Sequence, residues 1–353
     1  MNESVESPEL VEGLGTGFSP EPKDGPLLTV TDLSVEYDTP SGPVTAVDHV
    51  DLDVGAGEFV GIVGESGCGK STLLFAIAQL LTSPARISSG EVIFRGQNMV
   101  TMNEAELAPV RWRNMSVVMQ SAMNALNPVK KIEAQYADAM KAHGVRSRSE
   151  IRERSQAVLE LVGIDRAHLN SYPHQLSGGM RQRAMIAMAL LFTPELVIMD
   201  EPTSALDVVA QRSLMLQIKE LQQQLGFAVI FVTHDMSLVS HFSDRLMVMY
   251  AGKEMEFGPT RKVFDNPAHP YSQGLLDAFP SIRGERVPLQ GIPGSPPSLS
   301  AMPVGCRFEP RCPLRFDACA TVPPELYDVD GVQARCLLHD PAYRDHAPVE
   351  VAK

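Results

Sequence analysis

The sequence lacks the features that would place the chain in a membrane or on nucleic acid. No apolar run is long enough to span a bilayer, because the most apolar stretch, residues 184–199, is interrupted by residues 193–195, Thr-Pro-Glu. No run of Lys and Arg of the kind found beside membranes appears, and 30 Lys and Arg against 43 Asp and Glu give a formal net charge of −13, which disfavours phosphate-rich partners. The acidic start has neither the basic nor the apolar region of a signal peptide. We expect a soluble, intracellular protein with no nucleic-acid partner.

Cysteine is also scarce, and its placement is uneven. Cys68 stands alone, whereas the other four of the five cysteines crowd into the last fifth of the chain: Cys306, Cys312, Cys319 and Cys336. Structural disulfides are not expected in an intracellular protein. Four neighbouring thiolates instead suit a tetrahedral zinc ion or an iron–sulfur cluster.

The composition changes twice along the chain. Residues 1–26 are rich in Glu, Gly, Pro and Ser, which predicts a disordered leader. Between residues 27 and 262, strand-like and helix-like segments alternate around a mostly helical stretch at about 121–193, which predicts an α/β domain with a mainly parallel, two-sided sheet. Residues 263–353 are dense in proline and contain the four clustered cysteines, so they form a separate predicted extension.

Residues 64–71, GESGCGKS, match the phosphate-loop pattern G-x-x-x-x-G-K-[ST] between a predicted strand and a predicted helix. Such a loop directs backbone N–H groups at phosphate oxygens, and its glycines supply the dihedral angles. Lys70 is expected to reach the β- and γ-phosphates and Ser71 to bind Mg²⁺. The predicted nucleotide contacts of this segment are Gly64, Ser66, Gly67, Cys68, Gly69, Lys70, Ser71 and Thr72.

A short apolar run at residues 196–199 ends in Asp200 and Glu201. A buried parallel strand delivers its C-terminal residues to the edge of the sheet where ligands bind. Asp200 is therefore expected to complete the Mg²⁺ shell, and Glu201 to position and deprotonate the attacking water. Taken alone, the two acids would equally suit the start of a solvated loop; the phosphate loop upstream favours the catalytic interpretation.

Residues 176–183, LSGGMRQR, resemble the signature sequence of ABC-type ATPases and lie between the helical stretch and the acidic strand, as in that family. Ser177, Gly178 and Gly179 open a helix there and so provide a second anion site. In the family, this site closes on the ATP that the opposite subunit holds. The resemblance implies a P-loop ABC-type ATPase domain with an antiparallel β subdomain, a parallel-sheet core and a helical subdomain.

The resemblance also assigns roles to residues outside these motifs. Gln120 matches the glutamine that links the nucleotide site to the helical subdomain and contributes to the Mg²⁺ site, and His234 matches the histidine that contacts the γ-phosphate. Tyr37 matches the aromatic residue that stacks on adenine, with strand packing as its alternative role. Residues 204–207 match the loop that crosses the dimer interface. The resemblance thus implies a competent ATPase that uses ATP and Mg²⁺, with Glu201, His234 and Gln120 as catalytic residues.

The tail resembles the C-terminal extension of the oligopeptide/dipeptide importer ATPases, on the basis of residues 266–271, NPAHPY, and the Pro-rich, four-cysteine segment. Its cysteine spacing lacks the paired knuckles of zinc ribbons. Because members of this family carry a [4Fe–4S] cluster in such a tail, the resemblance favours a cluster, with Zn²⁺ or unligated thiols as alternatives. The nearby cations expected to offset the charge of a cluster are Arg307, Arg311, Arg315 and Arg335.

Together these features predict the ATP-hydrolysing subunit of an ABC importer of di- or oligopeptides, peripheral to the cytoplasmic face of the cell membrane. The implied partners are two membrane permease subunits, an extracellular solute-binding protein and a second ATPase, for which a related chain is favoured over an identical one. Oligosaccharide and nickel importers of the same group are the alternatives. A non-transport ABC ATPase acting on DNA or ribosomes would be expected to carry tandem ATPase domains, long coiled coils or basic surfaces, none of which the sequence contains.

Overall fold

The computed structural model describes residues 25–120, 125–204, 206–278 and 291–343. Most of the predicted leader, Ala205 of the predicted interface loop and the first four residues of the predicted helical subdomain lie outside the described residues. The predicted domain boundaries at residues 27, 262 and 263 stay predictions.

The described residues form an α/β protein. The strands, in chain order, are β1 (Leu28–Thr39), β2 (Gly42–Val54), β3 (Phe59–Val63), β4 (Ala85–Phe94), β5 (Gln97–Asn98), β6 (Met115–Val118), β7 (Leu196–Asp200), β8 (Ala228–Val232), β9 (Arg245–Tyr250), β10 (Lys253–Pro259), β11 (Tyr327–Val329) and β12 (Val332–Ala334). The α-helices are α1 (Lys70–Ile77), α2 (Glu104–Leu107), α3 (Ile132–Ala142), α4 (Arg148–Leu161), α5 (Gly178–Ala189), α6 (Val208–Leu225), α7 (Met236–Phe242), α8 (Thr260–Asp265) and α9 (Pro270–Asp277). None of the helices within the described ranges combines the length and the hydropathy that a membrane span requires.

The chain divides into two compact units. The helical unit contains Val54–Glu58 and Thr101–Phe231, and the β-rich unit contains Leu28–Asp53, Phe59–Val100 and the described residues from 232 onward. Each unit carries a different part of the predicted site.

Two sets of paired strands build the β-rich unit. In the first, β1 pairs antiparallel with β4, and the strand order is β2-β1-β4-β5, which agrees with the predicted antiparallel β subdomain. In the second, β3 pairs in parallel with β9, β9 pairs antiparallel with β10, and β12 lies between β10 and β11. All five residues of β3 are buried, as expected for a strand that is covered on both faces. This strand leads directly into the predicted phosphate loop.

In the helical unit, β6 and β7 pair in parallel, with Met115 opposite Leu196. The chain between these two strands forms α3, α4 and α5. The first two helices end before Gly144 and Gly163, whose φ angles of 89° and 68° lie in the left-handed region that glycine favours after a helix. Parallel pairing brings the C-terminal ends of β6 and β7 to the same edge, and this places the residues that follow them close together.

Aromatic rings pack the tail into the β-rich unit. Tyr250 at the end of β9 lies against Tyr271 of α9, with ring centroids 4.6 Å apart, and Phe308 contacts both rings at 5.4 and 5.2 Å. His269 caps α9, since its Nδ1 accepts the backbone N–H of Tyr271 at 2.9 Å. Burial lowers the pKa of His269 to about 3, so the imidazole stays neutral and able to accept this hydrogen bond. The tail is therefore built into the fold of the β-rich unit.

Candidate functional site

The predicted phosphate loop, residues 64–71, connects β3 to α1. Gly64 and Gly69 have φ angles of 153° and 101°. A Cβ atom at Gly64 would lie 2.1 Å from the carbonyl oxygen of Met249. A Cβ atom at Gly69 would lie 2.3 Å from the carbonyl oxygen of Ala46. Both glycines are therefore required by close backbone approach as well as by their dihedral angles.

The ammonium group of Lys70 lies within this loop. Lys70 is 7 % exposed, and its Nζ donates to the carbonyl oxygens of Gly64 at 2.8 Å and Glu65 at 2.9 Å. It also lies 3.6 Å from the Sγ atom of Cys68, whose pKa is raised by burial, so this thiol is neutral. The loop thus combines a fixed cation with the N-terminus of α1, and both attract anions.

Two further predicted contacts lie beside the start of α1. The hydroxyl oxygen of Tyr37 is 3.1 Å from Oγ1 of Thr72. This hydrogen bond holds the ring of Tyr37, which is partly buried on β1, next to the phosphate loop. His234 is exposed and directly precedes Asp235, the N-cap residue of α7. These residues share the β-rich unit with the loop.

In the helical unit, the structure brings Gln120 and Glu201 into contact. The Nε2 atom of Gln120 donates to Oε2 of Glu201 at 2.8 Å. Gln120 lies two residues beyond β6 and Glu201 one residue beyond β7, so the contact follows from the parallel pairing of these strands. Asp200 is the last residue of β7 and is 2 % exposed. Glu201 has a φ angle of 44°, which is uncommon for a residue with a Cβ atom and typical of functional turns.

The signature segment begins α5. Ser177 is its N-cap residue and accepts the backbone N–H of Met180 at 3.3 Å. A Cβ atom at Gly179 would meet no atom within 4 Å, so the first turn of the helix has an open surface. From the same helix, Nε2 of Gln182 donates to the carbonyl oxygen of Pro202 at 2.6 Å. This hydrogen bond links the signature helix to the segment that follows Glu201.

The four tail cysteines are free thiols. The backbone N–H of Cys306 donates to the carbonyl oxygen of Cys319 at 2.8 Å. Burial, reinforced by the neighbouring thiols, raises the pKa of Cys306 to about 11 and the pKa values of Cys312 and Cys336 to about 12. Across the four described ranges, no three His, Cys, Asp or Glu side chains are grouped so that they could hold a metal ion.

The tail arginines that the sequence places near the cysteines all have carboxylate partners. The ion pairs are Arg307–Asp48, Arg311–Glu65, Arg315–Glu309 and Arg335–Glu254. Because each guanidinium is paired in this way, these contacts give no support to the expectation that the arginines offset the charge of a cluster.

Comparison with known proteins identifies the family. The ABC transporter family model matches residues 47–204, and the model of the oligopeptide/dipeptide transporter C-terminal region matches residues 255–319. The dipeptide transport ATP-binding protein DppD of Caldanaerobacter subterraneus subsp. tengcongensis is 40 % identical over 89 % of this chain and 97 % of its own length. The oligopeptide transport ATP-binding protein OppD of Escherichia coli is 44 % identical over 84 % of this chain and 89 % of its own length. The chain belongs to the oligopeptide/dipeptide ABC transporter ATP-binding proteins.

Solved structures of ABC ATPases confirm the predicted fold class. The ATP-binding cassette MJ0796, a dimer in a post-hydrolysis state bound to ADP and Pi, has a TM-score of 0.59 and 29 % identity over 66 % of this chain and 99 % of its own. The cassette cbiO1 of Clostridium perfringens, part of the cbiONQ transporter complex, has a TM-score of 0.60 and 27 % identity over 69 % of this chain and 92 % of its own. As a member of the ABC transporter ATPases, the protein hydrolyses ATP with Mg²⁺ and couples hydrolysis to transport.

Proposed function

We propose that this protein powers the uptake of di- and oligopeptides through separate membrane subunits. The observation that carries the proposal is the presence of an ABC cassette and an oligopeptide/dipeptide C-terminal region in one chain. The relatives named above are dipeptide and oligopeptide transport proteins, which favours peptides over the oligosaccharides and nickel considered from the sequence.

In the proposed mechanism, the backbone N–H groups of residues 64–71 and the ammonium group of Lys70 bind the phosphates of ATP. Ser71, Asp200 and Gln120 offer the oxygen donors that Mg²⁺ prefers, and the burial of Asp200 at a strand end suits a cation ligand. An ion held there would offset the charge on the transferred phosphate.

Glu201 orients the attacking water and accepts its proton. The amide of Gln120 donates to the Glu201 carboxylate, which fixes the position of the carboxylate. His234 then contacts the γ-phosphate as the bond to the leaving group breaks. Tyr37, held by its hydrogen bond to Thr72, stacks on adenine.

The proposed assembly contains two ATPase chains and two permeases at the cytoplasmic face of the membrane, and it receives solute from an extracellular binding protein. The open surface at Gly179, in the first turn of the helix α5 that Ser177 caps, supports a role for Ser177, Gly178 and Gly179 in binding the ATP of a second ATPase chain. The similar cassette MJ0796 was solved as a dimer. A related chain is favoured as the partner, with an identical chain as the alternative.

The substrate proposal is tested by the ATPase rate of the assembled transporter. The complex is purified with its permeases, reconstituted with its binding protein, and assayed with short peptides, short sugars or Ni²⁺ in turn. We expect peptides alone to stimulate hydrolysis, and the Glu201→Gln complex should show no stimulation. Stimulation by sugars or Ni²⁺ alone would reject peptides as the solute without changing the assignment of the ATP site.

We also propose that the four tail cysteines hold a [4Fe–4S] cluster. The thiols are buried or partly buried, and the backbone N–H of Cys306 donates to the carbonyl oxygen of Cys319, although the described residues form no site for a single ion. The spacing of the four cysteines lacks the paired knuckles of zinc ribbons, which favours an iron–sulfur cluster over zinc. The cluster would cross-link the tail and lower the thiol pKa values.

The content of iron and sulfide distinguishes a [4Fe–4S] cluster from zinc and from unligated thiols. Protein purified anaerobically is expected to contain about four iron and four sulfide atoms per chain and to absorb broadly in the visible range. Cys312→Ser should lose both signals, whereas the matched Cys68→Ser variant should keep them because Cys68 is remote in sequence from the four. One zinc per chain, or no metal at all in colourless protein, would reject the cluster.

A further inference from the structure

Two residues of the tail hold Glu65, the second residue of the phosphate loop. Arg311 donates from Nη1 to Oε2 of Glu65 at 2.6 Å and from Nη2 to Oε1 at 2.9 Å. The hydroxyl of Tyr271 accepts the backbone N–H of Glu65 at 3.0 Å. This ion pair is bidentate, and a bidentate pair is the geometry in which an arginine fixes a carboxylate most firmly.

The guanidinium of Arg311 is fixed by further contacts. Its Nη1 also donates to the hydroxyl of Tyr250 at 3.2 Å. Its Nε donates to the carbonyl oxygen of Pro293 at 2.8 Å, and its Nη2 donates to that of Ile292 at 3.3 Å. With the two bonds to Glu65, these contacts occupy all the N–H donors of a side chain that is 5 % exposed. A lysine at this position could supply the charge but not the planar set of donors.

Glu65 connects this arrangement to the residue proposed to bind phosphate. Its carbonyl oxygen accepts from Nζ of Lys70 at 2.9 Å, so the N–H, the carbonyl and the side chain of Glu65 are all bound. Phe308, three residues before Arg311, packs against Tyr271 and fixes the tail segment between Cys306 and Cys312. The conformation of the loop at Glu65 therefore depends on the tail.

We propose that Arg311 is a positioning residue for ATP binding, through which the tail holds the phosphate loop in its binding conformation. The inference rests on the proposed assignment of residues 64–71 to the phosphates of ATP. Without Arg311, the carboxylate of Glu65 loses both guanidinium bonds, and the loop must be ordered as ATP binds, which weakens binding. The residues proposed for the chemical step are not touched, so turnover at saturating ATP is retained.

The Arg311→Ala variant of the full chain, in the assembled transporter, tests this inference. We expect KM for ATP to rise about tenfold while kcat stays within about twofold of wild type. Arg315→Ala is the matched control, because Arg315 is 58 % exposed and its Nη1 lies 3.2 Å from Oε1 of Glu309 on the same tail. Partial unfolding would lower the apparent kcat and leave KM unchanged, so the split between the two constants separates positioning from stability.

Glu65→Ala removes the same ion pair from the loop side and leaves the tail intact. It should raise KM as Arg311→Ala does, and the double variant should be no worse than either single variant. Arg311→Lys should give an intermediate KM. Wild-type KM values in the two single alanine variants, or additive effects in the double variant, would overturn the inference. If Lys70→Ala bound ATP with wild-type affinity, the assignment of the phosphate loop itself would fail. If Lys70→Ala lost affinity for ATP while Arg311→Ala kept a wild-type KM, only the role of Arg311 would fail.

Discussion

The Glu201→Gln variant is expected to hydrolyse ATP about a thousandfold more slowly than wild type while it still binds ATP. The amide cannot accept the proton of the attacking water, which removes general-base catalysis. It has nearly the volume of the carboxylate, and its oxygen can still accept the hydrogen bond that Gln120 donates at 2.8 Å. The backbone at residue 201, with its φ angle of 44°, keeps a side chain of similar shape. The loss should therefore appear in kcat and leave nucleotide affinity unchanged.

Single-turnover hydrolysis and equilibrium binding of ATP measure the two quantities separately. Glu195→Gln is the matched control, since Glu195 directly precedes β7 and accepts from Asn114 at 3.0 Å, a bond that an amide oxygen preserves. The control should hydrolyse ATP at the wild-type rate. Wild-type hydrolysis by Glu201→Gln would remove Glu201 from the role of base.

Replacement of Lys70 by alanine is expected to weaken ATP binding by about a hundredfold or more. Lys70 is a buried cation whose ammonium group is directed by the carbonyl oxygens of Gly64 and Glu65, and an alanine leaves that part of the loop without positive charge. Because charge-assisted bonds to phosphate are made in a largely desolvated site, water does not replace the lost interaction.

Titration with a fluorescent ATP analogue measures this loss, and a thermal melt checks that the variant is folded. Lys262→Ala is the matched control: Lys262 lies on the exposed surface of α8 and donates to the carbonyl oxygen of Asp330. The control should bind ATP as wild type does. Wild-type affinity in a folded Lys70→Ala variant would contradict the assignment of residues 64–71 to the phosphates.

The parts of the site that the sequence predicts most directly are contiguous. The eight residues of the phosphate loop can be recognised from the sequence alone, because the glycines, the lysine and the flanking strand and helix all lie within one short segment. The contact between Gln120 and Glu201, by contrast, joins two residues that are 81 positions apart in the sequence. The family resemblance assigns both residues to the site, but only the parallel pairing of β6 and β7 explains why they meet.

The ion pair between Arg311 and Glu65 had no signal in the sequence. The two residues are 246 positions apart, and no periodicity or spacing relates them. The hairpin of β11 and β12 did have a signal that was missed: Asp330 and Gly331, with φ angles of 52° and 78°, form the Asp-Gly turn that commonly joins two short strands.

The pairing of β12 with β10 has a consequence for the solubility of the protein. In this pairing, Glu256 lies opposite Ala334 and Phe257 opposite Gln333, so the tail covers the side of β10 that faces away from β9. A chain that ended near residue 262 would leave the backbone groups on that side without their partners, and an uncovered edge strand is a template for association with other chains. The extension thus shields a strand edge from aggregation, a role that it would keep even in a chain without cysteines.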